Sequence, residues 1–135
     1  MYHLKKTLCS ADFEVMAEME ARYYGSEAIS TSSIMWDMYQ VYPYTTFAWE
    51  TAGELVAFIN LFPVKAPVYE DFIKCKISDS EIDLEDIFDI SDSPQKQPVP
   101  MIFSCILILE DYRKTDLLAK IWRDLVNFYH ASGNE

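Results

Sequence analysis

The stretch from Ile108 to Leu118, ILEDYRKTDLL, gathers the residue types that chemistry could use. An apolar run ends, two acids and a tyrosine follow, and the cations Arg113 and Lys114 stand just before a helical pattern. A helix N-terminus offers unpaired amides and a partial positive charge, which together favour a phosphate. Arg113 and Lys114 would add charge, and Thr115 can cap the helix or give its hydroxyl to an oxygen. Asp116 works against this, because its carboxylate falls where a phosphate would sit, at a cost of about 1 kcal/mol or more if partly desolvated. Alternatively, Asp116 caps the helix and takes the amides itself. Leu118 adds bulk where close approach of a ligand would call for glycine, or turns into the core. Glu110 and Asp111, after the apolar run, and Glu50, ending an earlier strand, are candidate general bases. The alternative for each is a solvated turn.

The elements that would position these residues can be read along the chain. Residues 2–8, YHLKKTL, suggest a first strand. Ser10 can cap a helix in which Phe13, Met16, Met19 and Tyr23 share a face, with Gly25 closing it. A second helix follows STSS, with Ile34, Met38 and Val41 or Tyr42 as its apolar stripe, and Pro43 stops it. YTTFAWE and ELVAFINLFPV then read as a hairpin around TAG, with Gly53 supplying a positive φ. PVYEDFIKCKI suits a short helix, and SPQKQPVP an extended linker. MIFSCILIL reads as a continuous buried strand. From about Thr115 to His130 runs an amphipathic helix, with Leu118, Ile121 or Trp122, Leu125 and Phe128 or Tyr129 at helical spacing.

The 135 residues, half of them hydrophobic, suit a single domain with one core, carrying an acidic insertion over about 65–100. In that insertion seven acids from Asp79 to Asp92 alternate with isoleucines, Leu84 and Phe88. A calcium loop is excluded, because counting from Asp79 the sixth and twelfth places hold Leu84 and Ile90 rather than Gly and Glu. A solvated face with a few apolar anchors fits better. The formal net charge of −11 argues against a nucleic-acid partner; it would attract an amine, or simply keeps the protein soluble, the stronger of the two readings. Cys9, Cys75 and Cys105 are scattered and His3 and His130 lie at opposite ends, so no metal site is expected; Cys9 and Cys105 read as buried small residues. No apolar run is long enough for a bilayer and the N-terminus lacks the apolar segment of a signal peptide, so the expected setting is cytoplasmic, with no membrane partner.

The order strand, two helices, hairpin, insertion, strand, Tyr-Arg-Lys turn and helix resembles the GNAT superfamily of acyl-CoA-dependent N-acetyltransferases. FSCILIL followed by EDYRKTDLLAKIW carries the resemblance, together with the hairpin TTFAWETAGELVAFINLFPV. In that family a strand leads into a Q/R-x-x-G-x-G/A pattern whose amides bind the coenzyme A pyrophosphate. Arg113 falls on the first position, Asp116 on the first glycine and Leu118 on the second. The resemblance implies an α+β fold of the α/β three-layer type, a mixed, mostly antiparallel sheet flanked by helices. It implies acetyl-CoA as co-substrate at Ile108, Leu109, Arg113, Lys114, Thr115, Asp116, Leu117 and Leu118. It also implies acetyl transfer to a small-molecule or protein amine, with Glu110 or Glu50 as base and strand amides polarising the thioester.

Tyr23, Tyr24, Trp36, Tyr39, Tyr42 and Tyr44 fall in the region that shapes the family's acceptor pocket, and as a group read mostly as core. The family normally continues with a further strand, helix and strand, which this sequence lacks. Two readings follow: an N-acetyltransferase, or a non-catalytic GNAT-like interaction or regulatory module that no longer grips acyl-CoA. In either, the strand MIFSCILIL has an open edge, and a homo-oligomer through that strand or the last helix is expected.

Overall fold

In the computed structural model, residues 1–24, 32–78, 81–90 and 99–131 are described. The β-branched and aromatic residues of 46–63 form a hairpin, as their composition dictates. Its strands are β2 (Thr46–Thr51) and β3 (Glu54–Pro63), paired antiparallel from Thr51↔Glu54 to Thr46↔Asn60. The turn residues Ala52 and Gly53 have φ of 51° and 78°. Two left-handed residues give a connection whose twist matches the strands. Gly53 adopts that conformation freely, whereas alanine pays roughly 1–2 kcal/mol for it.

Two edge strands complete the sheet. β1 (His3–Leu4) lies beside β2, and β4 (Met101–Ile108) lies beside β3, giving the order β1-β2-β3-β4, antiparallel throughout. Helices α1 (Ser10–Tyr24) and α2 (Ser32–Val41) connect β1 to β2; α3 (Ala66–Ile73) follows β3, and α4 (Leu117–Ala131) comes last. The described residues thus form a mixed α+β domain with a four-stranded antiparallel sheet and four helices.

The two faces of the sheet are covered differently. Phe13, Met16 and Met19 of α1, the expected stripe, pack with Ala48, Phe58 and Leu107. On the other face Leu117, Ile121, Leu125 and Tyr129 of α4 pack with Phe47, Trp49 and Ile59. The α4 stripe is therefore set one residue earlier than expected at its start: Leu117 is wholly buried, and Leu118 and Trp122 face outward. In α2 the expected Ile34 and Val41 are exposed; Met38 is buried, and Met35, Trp36 and Tyr39 are the partly buried packing residues. β4 is not continuously buried either. Phe103 and Ile106 are exposed, because β4 is an edge strand and no described element lies beyond it. For the same positional reason Cys105 is only half-buried, and Cys9, at the entrance to α1, is exposed.

The acidic insertion is anchored as its isoleucines suggest. Ile82, Ile87 and Ile90 are buried, while Asp83 and Asp86 close a capping box around the short turn Leu84–Asp86. Tyr44 Oη accepts from the Ile90 amide and donates toward the Phe88 carbonyl, tying the insertion to the core. Burial raises both Tyr44 and Tyr129 above the ordinary phenol value of 10.0, so each remains a protonated donor at neutral pH. Gly25, the first two residues of STSS, most of SPQKQPVP, Asp79, Asp92 and the Tyr24 side chain lie outside the described residues.

At the start of α1 the expected Ser10 cap is replaced by Asp12. Its carboxylate accepts from the Cys9 amide at 2.8 Å and from Lys5 Nζ at 2.9 Å. Burial pushes the Asp12 carboxyl up, but the Lys5 hydrogen bond and the Cys9 amide outweigh it and hold the value below the usual 3.8. A depressed carboxyl stabilises the fold above its unfolded value, and that contribution is lost as pH falls through the lower folded value. Asp12→Asn should therefore cost roughly 1–2 kcal/mol at pH 7. In denaturant unfolding, the gap between the two proteins should close only as the pH drops below about 4. A gap that persists unchanged at pH 2 would assign the cost to something other than the charge.

Candidate functional site

The strand-to-helix turn is built by local satisfaction of its backbone. The Leu109 amide donates to Val56 O, and a 3-10 turn over Glu110–Tyr112 follows β4. Thr115 Oγ1 donates to Tyr112 O at 2.6 Å and accepts the Leu117 amide at 3.2 Å. Thr115 thus takes one of the leading amides of α4 that a phosphate would use. Leu117 is in the core, so its side chain cannot face a ligand at the turn, and Leu118 points outward. Asp116 and Lys114 are exposed, and Lys114 makes no ion pair among the described residues.

Arg113 is folded back onto the strand it follows. Its Nε donates to Ile108 O at 2.8 Å, and its guanidinium carbon lies 4.6 Å from the centre of the Tyr23 ring. Tyr23 Oη also accepts the Glu110 amide at 3.1 Å. One side chain from the end of α1 therefore holds both the turn and its arginine. The carbonyl and the ring thus hold Arg113 against the strand through Nε and one guanidinium face, one of its five N–H donors being used. This role for Tyr23 was not legible in the spacing, which placed it only on the apolar stripe of its helix.

The candidate bases share one end of the sheet without meeting. Glu50 is opposite Leu55, and Ile108 is opposite Ala57, with β3 between them. Two strand spacings separate them, on the order of 10 Å across the sheet. Glu110 and Asp111 are exposed and Glu50 is half-buried.

A buried polar link missed by sequence reading joins the sheet to α4. Trp49, fully buried, donates Nε1–H to Asp124 Oδ2 at 2.8 Å, and Lys120 Nζ holds the other oxygen at 2.9 Å. Only the i, i+4 spacing of Lys120 and Asp124 could have signalled it. Cavities among the described residues lie elsewhere. A water-sized one of about 10 Å³ sits between α1, α2 and β3, near Asn60. A larger one of about 330 Å³ opens at the Thr46 end of the sheet, away from the turn. Among the described residues no group of three or more His, Cys, Asp or Glu could hold a metal, and no helix is long and apolar enough to cross a membrane.

Comparison with protein-family models finds no match, and comparison with curated proteins finds none either.

The Tyr23–Arg113 contact can be measured directly. A double-mutant cycle with Tyr23→Ala and Arg113→Ala should give a coupling of about 0.5–1 kcal/mol in thermal or denaturant unfolding. Strictly additive costs would mean that the stacking contributes nothing.

Proposed function

We propose that this chain is a non-catalytic, GNAT-like interaction module that pairs with a second copy of itself through β4. The observation that carries the reading is an open strand edge flanked by an apolar strip. Phe103 and Ile106 lie opposite Leu61 and Ile59, on the face where α4 packs. Phe103 meets Trp122 edge-on at 5.5 Å, and Leu118, Trp122 and Val126 continue the strip along the helix. These five side chains are 38–63% exposed.

Natural edge strands are usually blunted by lysine, proline or inward charge, and the eight residues of β4 contain none of these. A second copy is favoured over another partner because antiparallel pairing of β4 with itself is self-complementary and would also bring the two α4 strips together. Charge supports it too. Within 113–131, Arg113, Lys114, Lys120 and Arg123 face only Asp116 and Asp124, so this is the least acidic part of a chain of net charge −11.

The GNAT likeness rests on the element order, on the antiparallel order β1-β2-β3-β4 and on the strand, turn and helix that end it. Against acetyl-CoA at this turn, Arg113 gives Nε to Ile108 O and lies over Tyr23, and Thr115 takes the Leu117 amide, so part of what would hold a pyrophosphate is already used. Transfer from acetyl-CoA to an amine is the second reading, favoured by the same element order. A reducing, cytoplasmic setting is supported by three free cysteines.

Light scattering and sedimentation should show a dimer. Ile106→Lys, an edge charge at an exposed position, should weaken it at least about tenfold while the circular dichroism is unchanged. A monomer persisting to millimolar concentration would sink the self-pairing. Calorimetric titration of acetyl-CoA and CoA separates the two functional readings. No heat at millimolar ligand is expected. Micromolar binding, lost on replacing Arg113 and Lys114 by alanine, would overturn the non-catalytic reading in favour of acetyl transfer.

A further inference from the structure

We infer that the cavity at the Thr46 end of the sheet is a binding site for a small carboxylate with an apolar body. Its volume of about 330 Å³ falls in the range of small-molecule sites. Leu4, Pro43, Phe47 and Phe128 form apolar walls, the two phenylalanine rings meeting at 5.1 Å. β1, β2, the turn after α2 and the last turns of α4 all contribute, so the site is made by the tertiary fold rather than by one element.

The charge at this cavity is the reverse of the chain's. Acids outnumber bases 22 to 11 in the sequence, yet the lining contains Lys5 and Lys6 and no acid. Lys5 is held by Asp12, which neutralises it. Lys6 is exposed and makes no ion pair among the described residues, leaving one free cation at an apolar cavity. Tyr39 adds a second donor. Its Oη accepts the Leu8 amide at 3.1 Å, and its own O–H has no partner among the described residues.

One free ammonium and one free hydroxyl proton suit a ligand that only accepts hydrogen bonds and carries a single negative charge. A carboxylate meets both conditions, with an acyl chain or a small ring against the phenylalanines. A phosphate would bring more charge than Lys6 can balance, and an amine would repel it. In β2 the site takes in Thr46 and Phe47, at the other end of that strand from Glu50, while its Leu4 pairs with Trp49 beside Glu50; it does not involve the β4 edge, so it stands apart from the proposed self-pairing.

The test is calorimetry on the full chain with octanoate, 1-naphthoate and octylamine, all below micelle formation. Both acids should bind saturably, and octylamine at least about tenfold more weakly. Lys6→Glu should weaken the acids by at least about tenfold, and Lys6→Arg should retain binding, since it keeps the charge. Lys6 is exposed, so neither change threatens the fold. Bound octanoate should also shift the ring resonances of Phe47 and Phe128 by NMR. Failure of both acids to saturate at millimolar concentration would overturn the inference, as would binding indifferent to Lys6→Glu. The dimer-weakening Ile106→Lys should bind the acids like wild type, which keeps this result separate from the fate of the self-pairing.

Discussion

β3 sets the terms for everything around it. From Leu55 to Pro63 every residue is buried, so the strand needs cover on both faces and a partner along both edges. α1 supplies one face, α4 the other, and β2 and β4 the edges. Nothing charged could be tolerated along it, and its single polar residue, Asn60, is answered by the Thr46 hydroxyl across the hairpin at 3.1 Å. The cover on the α4 side is fixed by a polar contact as well as by packing. The Trp49 indole can be wholly buried there because the Asp124 carboxylate receives its N–H and Lys120 balances the charge.

The turn after β4 shows how local satisfaction competes with ligand binding. A strand that ends at a sheet edge leaves a carbonyl at Ile108, and the nearest cation takes it. Thr115 does the same for the first amide of α4. Each bond is modest alone, yet together they use Arg113 Nε and one helix amide, two of the groups from which an anion site would be assembled. In a chain so rich in acids, Arg113 bonds to a carbonyl and lies over a ring rather than pairing with a carboxylate.

Some of this was legible in the residues. The β-branched and aromatic composition and Gly53 specified the hairpin, α1's stripe specified its buried face, and the isoleucines marked which parts of the acidic insertion would sink into the core. The phase of α4 was not legible, for a definite reason. Each core position has an apolar neighbour: Leu117 beside Leu118, Ile121 beside Trp122, Leu125 beside Val126. Either stripe satisfies helical periodicity, and only contact with Trp49 and Phe47 decides between them. The doubling itself was the signal that the helix has a second apolar face. At the site, the position of the turn could be read from sequence, but the engagement of Arg113 could not, because Tyr23 comes from a helix at the other end of the chain. The carboxylate cavity escaped for a similar reason, since its walls come from four separated segments.

The strand order has a kinetic meaning. Only the β2–β3 pairing is local, closed by a two-residue turn. Leu4 meets Trp49, and Asn60 meets Cys105, each across roughly 45 residues of intervening chain. Loop-closure entropy must be met before either outer pairing returns anything, so the central hairpin is the natural place for folding to begin and both edge strands join late. Until β4 arrives, the most deeply buried strand of the sheet has a bare edge, and that interval is when the chain is most exposed to pairing with the wrong partner.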